Sequence, residues 1–360
     1  MSTGDTDPLI RTAEIVLPCA ELDPSVAFFT GRLGFRLETI FPAEDPEIAV
    51  IAGHGLRLRL ARVAAGGPGT LRLACAEPDR IAEGARLLIA PNGTRIEIVE
   101  AEPPLTLPPL APEFVLSRWD DDAAWTSGRA GMGYRDLILG RLGGRFIASH
   151  IRIAAAGPVA DYVHFHKVRF QMIYCRAGWA RLVYEDQGPP FRLEAGDCVL
   201  QPPQIRHRVL ESSAGLEVIE IGCPALHETW ADHDLPLPNA SLDPTRDFSG
   251  QRFHRHIAAN VAWRPWHADG FEIRDIGIGS ATGGLAGAGV IRPGSARATR
   301  RLRHGGEFLF LFVLDGQCRL DCGDLHEVAA GDAITIPGGL PYALTACTPD
   351  LQLLEVRLPG

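Results

Sequence analysis

The 360-residue chain carries His164-Phe165-His166, then Gln171, and much further on a lone His207. Two histidines at i and i+2 on a β-strand project to the same face. Imidazole suits most catalytic first-row metals. A third histidine from a distant segment, together with the side-chain carbonyl of Gln171, completes a four-ligand cage with positions left for a substrate. The expected chemistry is therefore that of one divalent metal ion. Fe, Mn, Ni, Cu and Zn are all accepted by three histidines and a glutamine.

Neighbouring residues furnish the rest of a candidate site. Arg169 and Arg206 flank the ligands, and guanidinium grips a carboxylate bidentately, so both are expected to bind substrate. Side chains at 171, 173 and 175 share a strand face, which sends Cys175 inward to the substrate and Tyr174 outward. Glu211, two steps of alternation beyond His207, is expected to face inward as a general base. His227 and His233 fall in the segment that follows, as loop residues able to come over the site.

The elements that position these residues come in three segments. The first hundred residues read β-α-β-β-β: a strand over 14–19, a helix opened by Asp23-Pro24-Ser25 and ended by Gly34, then strands near 36–41, 47–52 and 56–61. A second strand–short helix unit runs from Leu71 to Val99. Five prolines between 103 and 112 mark a linker. Beyond it lies an internal repeat. Ala124-Trp125, Arg135-Asp136 and Gly140 recur as Ala262-Trp263, Arg274-Asp275 and Gly279, Gly178 recurs as Gly316, and Gly196-Asp197 and Pro202 recur as Gly331-Asp332 and Pro337. So long a unit means two copies of one domain. Both copies consist of short strands ended by Gly, Pro and Asp, as in a sandwich or barrel.

Composition excludes several functions. The net charge is −9 with no basic stripe, which argues against nucleic acid as a partner. No apolar run reaches the roughly 18–20 residues that span a bilayer. The opening Met-Ser-Thr-Gly-Asp-Thr-Asp lacks signal-peptide character, so a soluble, cytoplasmic protein is expected. Its eight scattered cysteines are expected to be reduced and mostly buried, without a zinc-ribbon spacing.

Two family resemblances follow from these motifs. Leu17-Pro18-Cys19, Asp23 to Phe29, Leu33-Gly34-Phe35 and the closing Pro91-Asn92-Gly93-Thr94-Arg95-Ile96-Glu97-Ile98 resemble the glyoxalase/bleomycin-resistance (vicinal oxygen chelate) superfamily over about 90 residues. From about 120 to 358 the chain resembles a two-domain bicupin of the cupin superfamily. Its first motif stands as Gly157-x6-His164-x-His166-x4-Gln171-x6-Gly178, and its second as Gly196-x5-Pro202-x-Gln204-x2-His207-x3-Glu211. The resemblance implies a mainly β protein: two cupin jelly-roll β-barrels preceded by a small α+β βαβββ domain. The corresponding divisions are 1–102, a linker at 103–118, a metal-binding cupin at 119–240 and a degenerate cupin at 241–360.

The cupin resemblance puts His164, His166 and His207 on the three histidine-ligand positions, and Gln171 where most members have glutamate. In the second copy the same positions hold Leu302, His304, Leu309 and Tyr342, which leaves one metal site in the chain. A metal-dependent enzyme acting on a small oxygen-rich substrate is implied, with mononuclear non-heme iron dioxygenase or oxygenase chemistry first and iron as the favoured metal. The neutral carbonyl of Gln171 leaves the ion its full charge, which supports a second reading: a Lewis-acid isomerase, lyase or hydratase on a sugar-acid-like molecule. A third is a small-molecule-binding sensor. Homodimerisation is implied by analogy with both folds.

Overall fold

Along the strand Phe170–Ala177 side chains divide by strict alternation. Phe170, Met172 and Tyr174 join one apolar cluster, whereas Cys175 joins another with Leu182, Leu193 and Val218. The strand Phe308–Asp315 does the same, its phenylalanines 308, 310 and 312 entering the first cluster and Leu309, Leu311 and Val313 a third. Strands buried on both faces read as continuous apolar runs, and Phe308-Leu-Phe-Leu-Phe-Val-Leu is one. Two interiors with a shared layer between them mean two barrels packed back to back. Phe146 stacks on Phe308 within that layer, ring centroids 4.1 Å apart.

The computed structural model describes residues 12–120 and 125–359. Ala124 of the repeat and the polar N-terminal stretch lie outside them. The chain divides into two compact units, residues 1–104 and 105–360. Among the described residues no helix is long and apolar enough to cross a membrane.

In the N-terminal unit Ile15–Pro18 is followed by a helix, Leu22–Gly31, and by strands Arg36–Phe41, Ile48–Gly53 and Leu56–Ala61. This is the expected βαβββ module, and its first and last strands pair in parallel. A shorter module follows, with Thr70–Cys75 parallel to Arg95–Glu100 and Leu87–Ile89 at the edge. Phe29, Ile51, Leu58, Leu60, Ile96 and Ile98 form the unit's core.

The first barrel sets a seven-stranded sheet, centred on Phe170–Ala177, Leu216–Cys223 and Ile147–Ile153, against a smaller sheet containing Trp179–Tyr184, His207–Ser212 and His164–His166. The second barrel repeats the plan around Phe308–Asp315 and Gln352–Leu358. The repeated glycines close tight turns. Gly178 and Gly316 both sit at φ +71°, and a Cβ on Gly178 would lie 2.4 Å from Ser213 Oγ.

Two short strands pair across the divisions drawn from the sequence. Val115–Ser117, assigned to the linker, pairs with Ala333–Thr335 and closes the edge of the second barrel's large sheet. Conversely His254–His256, assigned to the second domain, pairs with Cys198–Leu200 of the first. Each barrel thus lends an edge strand to the other, because an unpaired edge of N–H and C=O groups needs a partner. Pattern alone could not reveal this, since three-residue strands carry almost no periodicity. The proline-rich stretch is also docked: Leu107 and Leu110 pack on the shared layer, and Arg145 donates to the Pro108 carbonyl.

Glu307 ties the barrels together electrostatically. It accepts from Arg145 at 3.0 Å and from Arg169, and its side chain is 10% exposed. Removing it leaves two guanidinium groups facing each other with little solvent. Glu307→Ala is therefore expected to destabilise unit 105–360 by about 3 kcal/mol, read as a lowered midpoint in guanidinium titration followed by tryptophan fluorescence. An unchanged midpoint would show that the bridge contributes nothing.

Candidate metal centre

The strand His164–His166 pairs antiparallel with His207–Ser212 so that His164 stands opposite His207. Alternation then places His166 on the same inward face. The three rings meet inside the first barrel, with centroids 4.2 Å (164–207), 5.3 Å (164–166) and 5.5 Å (166–207) apart. One ligand nitrogen from each lies within 4.8 Å of the others. All three residues are buried.

Their tautomers are set by the backbone. The Nδ1–H of His164 donates to the Tyr162 carbonyl (2.8 Å), that of His166 to Glu228 (3.1 Å) and that of His207 to Ile205 (3.0 Å). Each Nε2 is then the acceptor nitrogen, the arrangement that orients metal-bound histidines; that of His164 takes an Arg129 N–H at 3.0 Å. Burial holds the rings neutral: it pushes His166 down to about 3 and His207 well below the ordinary imidazole value. His164 is lowered as well, by burial first and then by the nearby Arg129 cation. A divalent cation would satisfy acceptor nitrogens crowded this closely.

Gln171 is 2% exposed and lines the same cavity. Its Nε2 donates to Glu220 at 2.5 Å, which occupies the amide's donor end and leaves its carbonyl oxygen for a cation. The three histidines therefore fit a metal, and Gln171 lines the cavity they share. Glu220 was not singled out in the sequence reading. The available signal was the repeat, whose 135-residue offset sets Glu220 against Glu355, two carboxylates at the same inward position of the two barrels.

The cavity of about 90 Å³ is mostly apolar, walled by Ile151, Ile153, Ile173, Leu182 and Val218 among others. Arg129 is its cation. It sits in the turn Arg129–Gly131, donates to His164 Nε2 at 3.0 Å, and is held by Asp161. Asp161 is buried and also accepts from the Val209 backbone (2.9 Å), so the guanidinium rests on a fixed strut. No sequence motif marked Arg129.

Four expected site residues lie elsewhere. Arg169 turns to Glu307 at the barrel–barrel contact. Arg206 pairs with Asp232 at 3.1 Å and covers the Phe165 ring, away from the cavity. Cys175 does face the interior, but it packs beyond the cavity; burial pushes its thiol up to about 12, and its Sγ–H lies against the Ala177 and Gly178 carbonyls. Glu211 points outward. A β-bulge explains it: Leu182 pairs with Val209 and Arg181 with Glu211, so Leu210 is an extra residue and the alternation flips after it. Glu211 lies 4.0 Å from Arg181 and is 41% exposed. Of the two loop histidines, His227 comes to the cluster, its ring 5.1 Å from His166 and its Nδ1–H on the Pro224 carbonyl.

The second barrel has lost the site. Leu302, Leu309 and Tyr342 belong to its apolar core. His304 Nε2 is spent on the Ile336 carbonyl (2.7 Å), and Glu307 on the two arginines. What remains is Glu355, 1% exposed, whose carboxyl burial pushes up to about 6 against the pull of Arg357 3.1 Å away. Because the folded carboxyl keeps its proton to higher pH than the unfolded one, it stabilises the fold in acid, and that stability is lost as pH rises through about 6.

No family model matches the chain, and no curated protein sequence does. Solved structures do. Protein Ylba from E. coli, of family-model DUF861, is 12% identical, with 69% of this chain and 91% of that one covered at a TM-score of 0.52. Salicylate 1,2-dioxygenase from Pseudaminobacter salicylatoxidans is 13% identical over 71% and 86%, TM-score 0.52. A mutant of Bacillus subtilis oxalate decarboxylase OxdC is 14% identical over 71% and 78%, TM-score 0.50. At such identities the likeness concerns the fold, which is the two-barrel cupin arrangement.

Two measurements check this account. Elemental analysis of the purified protein should find close to one first-row metal per chain, and His166→Ala should lose it with the fold intact by circular dichroism. Metal retained in that variant would place the ion elsewhere. In the second barrel, Glu355→Gln should gain roughly 2 kcal/mol over the parent at pH 8 and almost nothing at pH 4.5. An equal gain at both pH values would mean that the carboxyl does not titrate as described.

Proposed function

We propose that the chain is a metal-dependent bicupin enzyme acting on a small oxygen-rich substrate, with mononuclear non-heme iron oxygenase chemistry as the first reading. The observation that carries it is the convergence of three neutral, buried imidazoles on a cavity whose wall also holds Gln171. A metal held there supplies a Lewis acid with open positions for a chelating substrate and, as iron, a means of using O2. The dioxygenase named among the structural neighbours supports this reading.

The chain's own residues bind and orient. Arg129 faces the histidines with N–H donors left over from Asp161, so it is the group placed to hold a substrate carboxylate, in the role expected of Arg169 and Arg206. The apolar walls exclude water and strengthen each of these polar contacts. Glu220, the carboxylate inside the cavity, keeps Gln171 turned the right way. The neutral Gln171 ligand favours a second reading, the Lewis-acid isomerase, lyase or hydratase. We also read the N-terminal unit as glyoxalase-like, on the strength of its βαβββ module and the shortened second module beside it.

Oxygen consumption separates the two readings. Iron(II)-loaded protein should take up O2 with at least one enol, β-diketone or aromatic hydroxy acid, and should be inert under nitrogen. Turnover under nitrogen with zinc or nickel would replace the oxygenase by the Lewis-acid reading.

A further inference from the structure

Gln201 is 2% exposed and lines the same cavity, where it follows the strand Cys198–Leu200. Its Nε2 donates to the Tyr184 hydroxyl at 2.9 Å, and its backbone N–H donates to the main-chain carbonyl of Gln171 at 2.9 Å. Its Oε1 has no hydrogen-bond partner among the described residues. A buried acceptor left unmet is costly, and such atoms are normally paired. Tyr184 is itself fully buried and stacks on His207, with ring centroids 5.5 Å apart and planes inclined by 22°. The side-chain amide is thereby held at one end by Tyr184, on a residue anchored through its backbone, and the residue stands in a cavity wall otherwise dominated by aliphatic side chains.

We infer that Gln201, held by Tyr184, is a specificity-determining residue that accepts a hydrogen bond from a hydroxyl group of the substrate. The inference rests on the small-molecule enzyme reading above and narrows it. Arg129 reaches the cluster at His164, while Tyr184 and Gln201 reach it at His207, so anion and hydroxyl are held from two sides of the histidines. Between and beyond them the cavity offers Ile151, Ile153, Ile173, Leu182, Leu193 and Val218. The substrate class is a small hydroxy carboxylic acid with an apolar body, such as a ring or a branched chain. A polyhydroxylated sugar acid does not fit, because most of its hydroxyls would be buried against methyl and methylene groups without partners.

Calorimetric titration of the zinc-loaded full chain with matched pairs tests this. The probes are benzoate against 2-, 3- and 4-hydroxybenzoate, phenylacetate against mandelate, and gluconate as the polyol acid. At least one hydroxylated acid should bind about tenfold or more tighter than its parent. In Gln201→Met that preference should shrink to within about twofold, while the parent acid still binds as in the wild type, which certifies the fold. Gln201→Asn, which keeps an amide but withdraws its oxygen, should do the same. No hydroxyl preference in the wild type, a preference that survives both substitutions, or gluconate as the tightest ligand would each overturn the assignment. Metal content read in parallel keeps the two claims apart. One metal per chain without a hydroxyl preference sinks the Gln201 assignment alone. A Gln201-dependent preference in protein that binds no metal supports the assignment and sinks the enzyme reading.

Discussion

The pairing of His164 with His207 across two antiparallel strands is what the rest of the site depends on. Directly opposed residues bring their Cβ atoms to within about 5.5 Å, close enough for two rings to share one cation. A slip of one residue would turn either histidine out of the barrel. The same backbone then supplies the carbonyls that hold each Nδ1–H. Strand geometry, tautomer and neutrality therefore come from one source. Burial alone would only have made the imidazoles poor bases; the register makes them converge.

The two barrels diverge in how they answer the same problem of an inward polar position. In the first, Glu220 is joined by Gln171, three histidines and Arg129, and a cavity remains. In the second, leucines and Tyr342 belong to the apolar core and Glu355 is left as a buried carboxyl with Arg357 3.1 Å away. Burial of that carboxylate outweighs the pull of Arg357, so it is destabilising at neutral pH. The phenylalanine-rich sheet face of the second barrel completes the layer behind the first.

That layer also explains where Arg169 goes. Arg169 leaves the first barrel exactly where the second approaches, and Glu307 is waiting there with Arg145. The exchanged strands Val115–Ser117 and His254–His256 tighten the same junction. With its back closed by a second barrel, the first barrel has a well-supported inner wall, and the polar groups Arg129, Tyr184 and Gln201 line its cavity from other parts.

The histidine motif, the glutamine departure, the repeat and its degeneration were legible in the sequence, because ligand types, spacing and motif glycines such as Gly178 are local properties. The N-terminal βαβββ order was legible for the same reason, through periodicity and breakers. Glu211, Arg169 and Arg206 were misplaced because direction is not local, whereas Cys175 does face inward but packs beyond the cavity. One bulged residue, Leu210, reverses everything after it, and an arginine's partner lies on whichever surface folding brings near. Arg129, Asp161, Glu220 and Gln201 became visible only when distant strands closed around one cavity. The sequence determined which atoms are able to bind a metal; the closed barrel decided which other side chains share that space, since contact between residues tens of positions apart is set by strand pairing and burial.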